Sequence, residues 1–181
     1  MRKIDPSLAW KLVEERLANT TNERHRRNLE VVIAHSKAEA TPDLEGLMRT
    51  LVEDPQYHLW TSSTDTGPKG RDNVRQYYTD FLDTKTNILE YNVDRVVVDD
   101  DCVVTEGGYR SICPGSYLES IGMAVDDTSA DYLLELRLVV FWPCDDNALL
   151  RGEDSYSSGA GTLTKLAPED LPADYVQLVH T

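Results

Sequence analysis

The sequence is poor in three features: basic residues, cysteines and long apolar runs. Its 181 residues contain 18 Lys and Arg against 32 Asp and Glu, which gives a formal charge of −14 at pH 7. Nucleic acids and anionic membrane surfaces both recruit clustered Lys and Arg, so this composition disfavours them as partners. We therefore expect no nucleic acid and no membrane partner, and the sequence favours a small molecule or a protein instead.

The scarcity of cysteine excludes two further classes of protein. Cys102, Cys113 and Cys144 are an odd number and form no Cys-x-x-Cys pair, which argues against a disulfide framework and a thiolate zinc site. No stretch approaches the ~18 apolar residues that span a bilayer, and the basic start is followed by no apolar segment. We expect a cytoplasmic protein without a cofactor.

The hydrophobic pattern predicts helices first and strands later. Apolar residues recur at helical spacing in segments near 6–18, 23–40, 42–53 and 71–83. A short aromatic strand is expected at Gln56–Thr61, between the third and fourth helices. Alternation of period two then predicts strands at 89–98, 102–112, 132–142 and 149–157, with the connection 114–131 as a candidate lid or rim loop.

This order of elements predicts an α+β fold, in which a cone-shaped, curved, mixed or antiparallel sheet wraps around three to four helices, as in a cystatin-like α+β barrel. We expect residues 1–22 to form an N-terminal helix and residues 23–158 to form the main domain. Residues 159–181 are expected to pack on its surface as a C-terminal tail.

Several motifs occur in a recognisable order. They are Asp-Leu-x-x-Leu-Met at Asp43–Met48, an acidic-Pro-aromatic strand at Asp54–Trp60, Gly-x-x-Gly-x-x-x-Val-x-x-Tyr-Tyr at Gly67–Tyr78, and Gly-Glu-Asp-x-Tyr at Gly152–Tyr156. Over residues 24–158 this series resembles the nuclear transport factor 2-like superfamily, in its SnoaL-like (polyketide-cyclase-like) branch. The resemblance implies an enclosed apolar pocket with a few inward polar side chains, and a homodimer. It does not imply one function, because the superfamily contains isomerases, dehydratases, cyclases and non-catalytic binders.

His35 and Glu39 are the first candidates for chemistry. They lie one turn apart on the second helix, so their side chains face the same direction and can hydrogen-bond. A carboxylate beside a histidine orients its tautomer, as a general acid or base requires. The alternative is a half-exposed helix pair without a catalytic role.

The short strand 56–61 offers two alternatives. Tyr57 shares one face with Leu59, and His58 shares the other with Trp60, because strand side chains alternate. If His58 faces inward, it converges with His35 and Glu39, which is also the donor set of a two-histidine, one-carboxylate metal site. A buried histidine bonded to the backbone is the other interpretation, and we expect no metal.

The strand 132–142 carries a continuous apolar face from Leu134 to Trp142, which we interpret as core or as the dimer interface. Its other face carries Glu135, Arg137 and Phe141. Arg137 either joins an ion-pair set on the outer sheet or anchors an anionic substrate. The candidate substrate-binding residues are Trp60, Tyr109, Arg137, Phe141 and Tyr156.

Two enzyme families allow a closer comparison. The segment 105–109 is similar to the Thr-Glu-Arg-x-Asp strand of limonene epoxide hydrolases, with Tyr57 and Asp154 at the positions of their water-positioning Tyr and second catalytic Asp. Their Arg is replaced by Gly107 and their first Asp by Tyr109, so that relay is broken and epoxide hydrolysis of this type is not expected.

Ketosteroid isomerases use a carboxylate base on the first strand and a Tyr with a protonated Asp as donors. This chain has no acid in residues 56–61, but His58 could replace that base, with Tyr57, Tyr109 or Asp154 as donors. A carboxyl group such as that of Asp154 in an apolar cone would have a raised pKa and could act as a general acid.

Two hypotheses follow. The first is a cofactor-independent enzyme, an isomerase, dehydratase/lyase or cyclase, that performs acid/base chemistry on a hydrophobic small molecule in an enclosed pocket. Its candidate catalytic residues are His35, Glu39, Tyr57, His58 and Asp154. The alternative is a non-catalytic module that binds a hydrophobic ligand or mediates interaction as a dimer.

Overall fold

A computed structural model of the protein describes residues 3–60 and 63–179; Thr61, the last residue of the predicted first strand, lies outside these ranges. The helices are α1 (Leu8–Ala18), α2 (Glu23–Ala40), α3 (Leu44–Arg49), α4 (Arg71–Asp83), α5 (Gly115–Ser120) and α6 (Ala173–Val179), with a 3₁₀ turn at Pro168–Asp170. The strands are β1 (His58–Trp60), β2 (Leu89–Val98), β3 (Cys102–Pro114), β4 (Asp131–Pro143), β5 (Asp154–Ser157) and β6 (Thr162–Lys165). No helix within the described ranges has both the length and the apolar character to cross a bilayer.

One mixed sheet organises the molecule. Its strand order is β1-β5-β4-β3-β2, and β6 pairs with a further part of β4. The β1–β5 pair is parallel and all the other strand pairs are antiparallel. The main hydrophobic core lies between this sheet and the helices, chiefly α1 to α4. The predicted α+β class, with a curved sheet around helices, is confirmed.

The long strands bend at one irregular point. The register of the β2–β3 pair shifts between Val93 and Arg95, and β-bulges of this kind increase local twist and bend a strand. Gly107 lies opposite Val93, where a Cβ atom would clash with the carbonyl oxygen of Asn92. The glycine therefore permits the close approach of the two backbones beside the cavity.

The second helix positions the centre of the molecule. Asn22 caps its N-terminus by accepting hydrogen bonds from the amides of Arg24 and His25, which satisfies two otherwise unpaired donors. The helix then buries Leu29, Val32 and His35 along one side. His35 is thus held on a capped, well-packed helix rather than on a loop.

The apolar face of β4 points inward. Leu138, Val140 and Trp142 line a cavity between the sheet and the helices, and Trp142 is almost fully buried. The core interpretation of this face is therefore confirmed. The expectation that the same face forms a dimer interface is wrong, because these side chains are already covered by the protein's own helices.

Two further segments differ from the predicted pattern. The connection 114–131 contains the short helix α5, and the last predicted strand begins only at Asp154. Just before it, Gly152 has a φ of 148° and its backbone lies so close to Gln56 that a Cβ atom would clash there. In the tail, β6 pairs with β4, and the buried Tyr175 hydroxyl donates to Asp131 Oδ1 over 2.7 Å.

Candidate functional site

The orientation of β1 decides which of its side chains reach the interior. Tyr57, just before the strand, is fully buried and Leu59 lines the cavity, whereas His58 and Trp60 lie on the opposite, outer face. His58 pairs in parallel with Asp154 of β5. Since side chains alternate along each strand, the inward positions next to Asp154 are those of Glu153 and Ser155, and both line the cavity.

The cavity, here called the inner chamber, has a volume of about 130 Å³. Most of its wall is aromatic or aliphatic. Two carboxyl side chains, those of Glu39 on α2 and Glu153 before β5, interrupt this apolar surface. Its other lining residues include Tyr77, Phe81, Tyr91, Tyr109, Leu138 and Trp142.

His35 lies behind Glu153 and is fully buried. Its Nδ1 atom is 2.6 Å from Thr50 Oγ1, and that hydroxyl donates its hydrogen to the carbonyl oxygen of Leu47. A hydroxyl has one hydrogen, so Thr50 accepts from His35 and the Nδ1 atom carries a proton. The Nε2 atom is left to face Tyr78 and Glu153, at 2.8 Å and 3.1 Å.

A chain of phenols leads to the same carboxylate. Tyr78 donates its hydroxyl hydrogen to Glu153 Oε1 over 2.7 Å, and Tyr57 OH lies 2.9 Å from Tyr78 OH. Because Tyr78 uses its hydrogen on Glu153, Tyr57 donates to the Tyr78 oxygen. Burial and the Glu153 charge raise the pKa of both phenols well above their ordinary value, so they act as neutral donors.

Glu39 faces a different environment. Burial raises the pKa of its carboxyl well above the ordinary value, and the nearby charge of Glu153 raises it further, while the neighbouring Tyr78 hydroxyl opposes the shift. The two carboxyl groups of the inner chamber are thus unlike. The raised pKa favours the protonated form of Glu39, and Glu153 beside it accepts a hydrogen bond from Tyr78. Such an asymmetric pair is what acid/base catalysis by two carboxyl groups needs.

The metal-binding donor set that the sequence suggested does not form. His58 lies on the outer face with its Nδ1 atom 2.7 Å from Asp65 Oδ2, so it does not converge with His35 and Glu39. His35, Glu39 and Glu153 do bring one ligand atom each within 4.8 Å of one another. In this structure the His35 nitrogen of that group is already within hydrogen-bond distance of Tyr78 and Glu153.

Asp154 also lies outside the inner chamber. Burial raises the pKa of its carboxyl, and the neighbouring His58 and Lys69 oppose this shift. The raised pKa that the sequence suggested is therefore present, but the side chain does not line the inner chamber. The expected placement of His58 and Asp154 with His35 and Glu39 is corrected by the register of β1 and β5.

The candidate substrate-binding residues divide in the same way. Tyr109 lines the inner chamber. Trp60, Tyr156 and Phe141 form an aromatic cluster on the outer face, with ring centroids 6.4 Å apart for Trp60 and Tyr156 and 5.8 Å apart for Phe141 and Tyr156. The exposed Phe141 and Tyr156 thus contact each other and not the inner chamber.

Arg137 takes part in an ion-pair set on the outer sheet. Its guanidinium lies 2.7 Å from Asp94 and 2.8 Å from Glu106. Glu135, on the same face of β4, pairs with Arg110 at 3.2 Å and not with Arg137. Of the two alternatives for Arg137, the structure supports the ion pair.

Three residues of the site were missed from the sequence: Glu153, Tyr78 and Thr50. Glu153 belongs to the Gly-Glu-Asp motif, but its inward direction depends on the pairing of β5 with β1. Tyr78 stands at a buried position of the amphipathic helix α4, where apolar packing explains an aromatic residue equally well. Only the spatial approach of α4 to β5 shows that its hydroxyl serves Glu153.

Comparisons with known proteins place the fold. No family model and no curated protein matches the sequence. Among solved structures, a proposed SnoaL-like polyketide cyclase from Jannaschia is similar with a TM-score of 0.60 at 14% identity, covering 77% of this chain and 90% of that one. Another from Shewanella denitrificans has a TM-score of 0.58 at 16% identity, covering 72% and 90%.

A third similar structure is a nuclear transport factor 2-like (NTF2-like) protein from Anabaena variabilis. It has a TM-score of 0.56 at 14% identity, and the match covers 78% of this chain and 96% of that one. This chain therefore has the cone-shaped α+β fold of the SnoaL-like and NTF2-like proteins.

Proposed function

We propose that this protein is a cofactor-independent enzyme that moves a proton within a hydrophobic small molecule bound in the inner chamber. The observation that carries the proposal is the pair of unlike carboxyl groups, Glu39 and Glu153, which face one apolar chamber. An isomerisation, a dehydration or a cyclisation can each be catalysed by a base and an acid that reach the reacting atoms, and one oxygen of Glu39 lies within 4.8 Å of one oxygen of Glu153.

Glu153 is the proposed base. Its carboxylate removes a proton from the substrate, Tyr78 holds it in position through a hydrogen bond, and His35 Nε2 lies 3.1 Å from it. Glu39 is the proposed acid, because burial raises the pKa of its carboxyl and so favours the protonated form. It donates that proton, or a hydrogen bond, to the substrate oxygen on which charge develops. The proton taken up by Glu153 can then return to a different substrate atom.

The fold is compatible with such a reaction. Two of the similar structures are described as proposed polyketide cyclases, and ring closure at carbon is one reaction in the proton-transfer class. His35 and Tyr78 are positioning residues here, since they contact Glu153 and do not line the inner chamber.

Two probe reactions test the roles separately. Opening of a nitrobenzisoxazole needs only a base, whereas isomerisation of a β,γ-unsaturated cyclohexenone to its conjugated isomer needs a base and a donor to oxygen. The reacting ring of each probe is of about the size that the inner chamber admits. We expect Glu153→Gln to lower kcat/KM for both by about 100-fold. Glu39→Leu should lower the isomerisation by a similar factor and change the ring opening by no more than about threefold.

Asp154→Asn is the informative contrast, because Asp154 is the neighbour of Glu153 and points to the other side of the sheet. The proposal expects both probe rates to survive this change. Loss of turnover in Asp154→Asn with retention in Glu153→Gln would reverse the assignment. Binding of the cyclohexenone with no conversion of either probe would support the non-catalytic binding module instead.

The expected homodimer also stays a proposal, and we place its interface on the outer face of the sheet. The outer face exposes Phe141 and Tyr156, whereas the inward face of β4 is covered. We expect Phe141→Glu to convert a dimer into a monomer in light scattering, without loss of the folded state. A wild-type monomer at micromolar concentration would contradict this part of the proposal.

A further inference from the structure

A second cavity, here called the outer chamber, adjoins the inner chamber. It lies between α4, the strands β3 and β4, and the short helix α5, and has a volume of about 370 Å³. Its apolar side includes Leu118, Ile121 and Leu134, and its polar side is formed by Asp80, Thr84 and Thr86. Ile121, which follows α5, is 53% exposed and stands where the outer chamber meets solvent.

Three aromatic residues form a partition between the chambers. Tyr77, Phe81 and Tyr109 line both cavities. The rings of Tyr77 and Phe81 are stacked at 6.3 Å with an interplanar angle of 8°. Because side chains of this kind turn by rotation about two dihedral angles, a ligand can connect the chambers without a change in the backbone.

The two volumes set the size of the ligand. A cavity of about 150 Å³ holds one benzene ring, so the inner chamber, at about 130 Å³, admits one small ring or group and no more. Binding sites for whole small molecules measure roughly 300–1,000 Å³, and the outer chamber reaches that range. A substrate larger than one ring must therefore place most of its atoms in the outer chamber.

The charges of the walls restrict the ligand further. Among the described residues that line the two chambers there is no Lys, Arg or His, while Glu39, Glu153 and Asp80 contribute carboxyl groups. A carboxylate or phosphate on the ligand would find no cationic partner and would be buried beside acidic side chains, which is costly. The walls thus select against anionic ligands.

We infer that the substrate is an elongated, uncharged molecule that occupies both chambers. Its reacting head lies against Glu39 and Glu153, and its apolar body passes Tyr77, Phe81 and Tyr109 and packs against α5 in the outer chamber. The hydroxyl groups of Thr84 and Thr86 donate to backbone carbonyl oxygens, and their oxygen atoms can accept a hydrogen bond from a polar substituent along that body. The position of the head rests on the proposed function, whereas the use of the outer chamber does not.

Calorimetry with three ligands that differ in length or charge tests this inference: phenol, para-butylphenol and para-butylbenzoate. Each buried methylene strengthens binding by about fourfold. Because the end of the butyl chain stays partly exposed where the outer chamber meets solvent, we expect para-butylphenol to bind about 50-fold more tightly than phenol. The benzoate has the same length but a negative charge at neutral pH, and should bind at least about tenfold more weakly than para-butylphenol.

A larger side chain at the outer chamber tests whether the butyl group binds there. Ile121→Trp should weaken para-butylphenol binding by about tenfold and leave phenol binding unchanged. Val97→Trp is the matched control, since Val97 is a branched aliphatic residue with 52% exposure that lines neither chamber. It should change neither affinity, and the melting temperatures of both variants should show that they are folded.

Equal affinity of phenol and para-butylphenol, or equal losses in Ile121→Trp and Val97→Trp, would overturn the inference. Tighter binding of the benzoate would overturn its uncharged character. None of these readings depends on turnover, so failure of the two probe reactions would contradict the proposed function alone. Failure of the binding series with intact probe turnover would contradict the elongated ligand alone.

Discussion

Tyr78 donates its phenolic hydrogen to Glu153, with 2.7 Å between the two oxygen atoms. The contact joins helix α4 to the segment before β5, which are 75 residues apart in sequence. It fixes which carboxylate oxygen is occupied and so leaves the remainder of the carboxylate to face the inner chamber. The proposed base is therefore oriented by a buried, neutral phenol that does not itself line the inner chamber.

Replacing Tyr78 by Phe removes this donor without changing the packing of the ring. We expect the free energy of unfolding to fall by about 1–3 kcal/mol, because Glu153 and Tyr57 both lose a buried hydrogen-bond partner. Tyr57→Phe, whose hydroxyl lies one step further from Glu153, should cost about 1 kcal/mol. Urea denaturation of both variants measures the difference, and an equal or larger loss in Tyr57→Phe would contradict the described order of donors.

Replacement of the two histidines His35 and His58 should reduce the stability of the protein by different amounts. His35 is fully buried between Thr50, Tyr78 and Glu153, so His35→Ala leaves a cavity and unpaired polar groups. We expect it to destabilise the protein by about 3 kcal/mol. His58→Ala should cost less than about 1 kcal/mol, since the side chain is 38% exposed and its ion pair with Asp65 is partly solvated. Equal thermal shifts in the two variants would count against this placement of His35.

Glu39 makes stability depend on pH. A carboxyl group whose pKa is raised in the folded state binds its proton more tightly there than in the unfolded chain. Its contribution to stability is therefore present at low pH and is lost as the pH rises above the unfolded pKa of about 4.3. The slope is at most about 1.4 kcal/mol per pH unit.

Glu39→Gln removes this slope. Relative to the wild type, the variant should gain stability steadily from about pH 4.5 towards neutrality, and the two should be closest in stability at acidic pH. Glu45→Gln is the control, because Arg75 lowers the pKa of that exposed carboxyl. A constant difference between Glu39→Gln and wild type across this range would show that Glu39 ionises normally.

A substitution of Arg137 tests whether this residue forms a surface ion pair or anchors a substrate. Its guanidinium is about half exposed and paired with Asp94 and Glu106, and exposed pairs contribute little to stability. We expect Arg137→Gln to change the free energy of unfolding by less than about 1 kcal/mol and to leave both probe rates unchanged. A large rise in KM for either probe would return Arg137 to the role of a substrate anchor.

Much of the fold follows from local patterns in the sequence. The helical spacing of apolar residues predicts α2 and α4, and the alternation in 132–142 predicts β4 with its inward apolar face. These features arise from periodicities that one segment carries by itself. The proximity of His35 and Glu39 on one side of α2 belongs to the same class, although the hydrogen-bond partners of His35 are Thr50, Tyr78 and Glu153.

The orientation of β1 could not be predicted in this way. Tyr57 and Leu59 form a face as apolar as that of His58 and Trp60, so alternation alone leaves both directions open. The direction is settled by the parallel pairing of His58 with Asp154, a contact between distant parts of the chain. The same pairing turns Glu153 inward and Asp154 outward, and so it replaces one acidic candidate by its neighbour.

The central claim is that Glu39 keeps its proton beside Glu153 in an apolar chamber. The most direct measurement is a pH titration of the glutamate side-chain carboxyl carbons by NMR, in the wild type and in Glu39→Gln. The account predicts one carboxyl resonance that titrates well above the ordinary glutamate range in the wild type and is missing in Glu39→Gln. If every glutamate carboxyl titrates near its ordinary pKa, the acid and base assigned here do not exist as a pair.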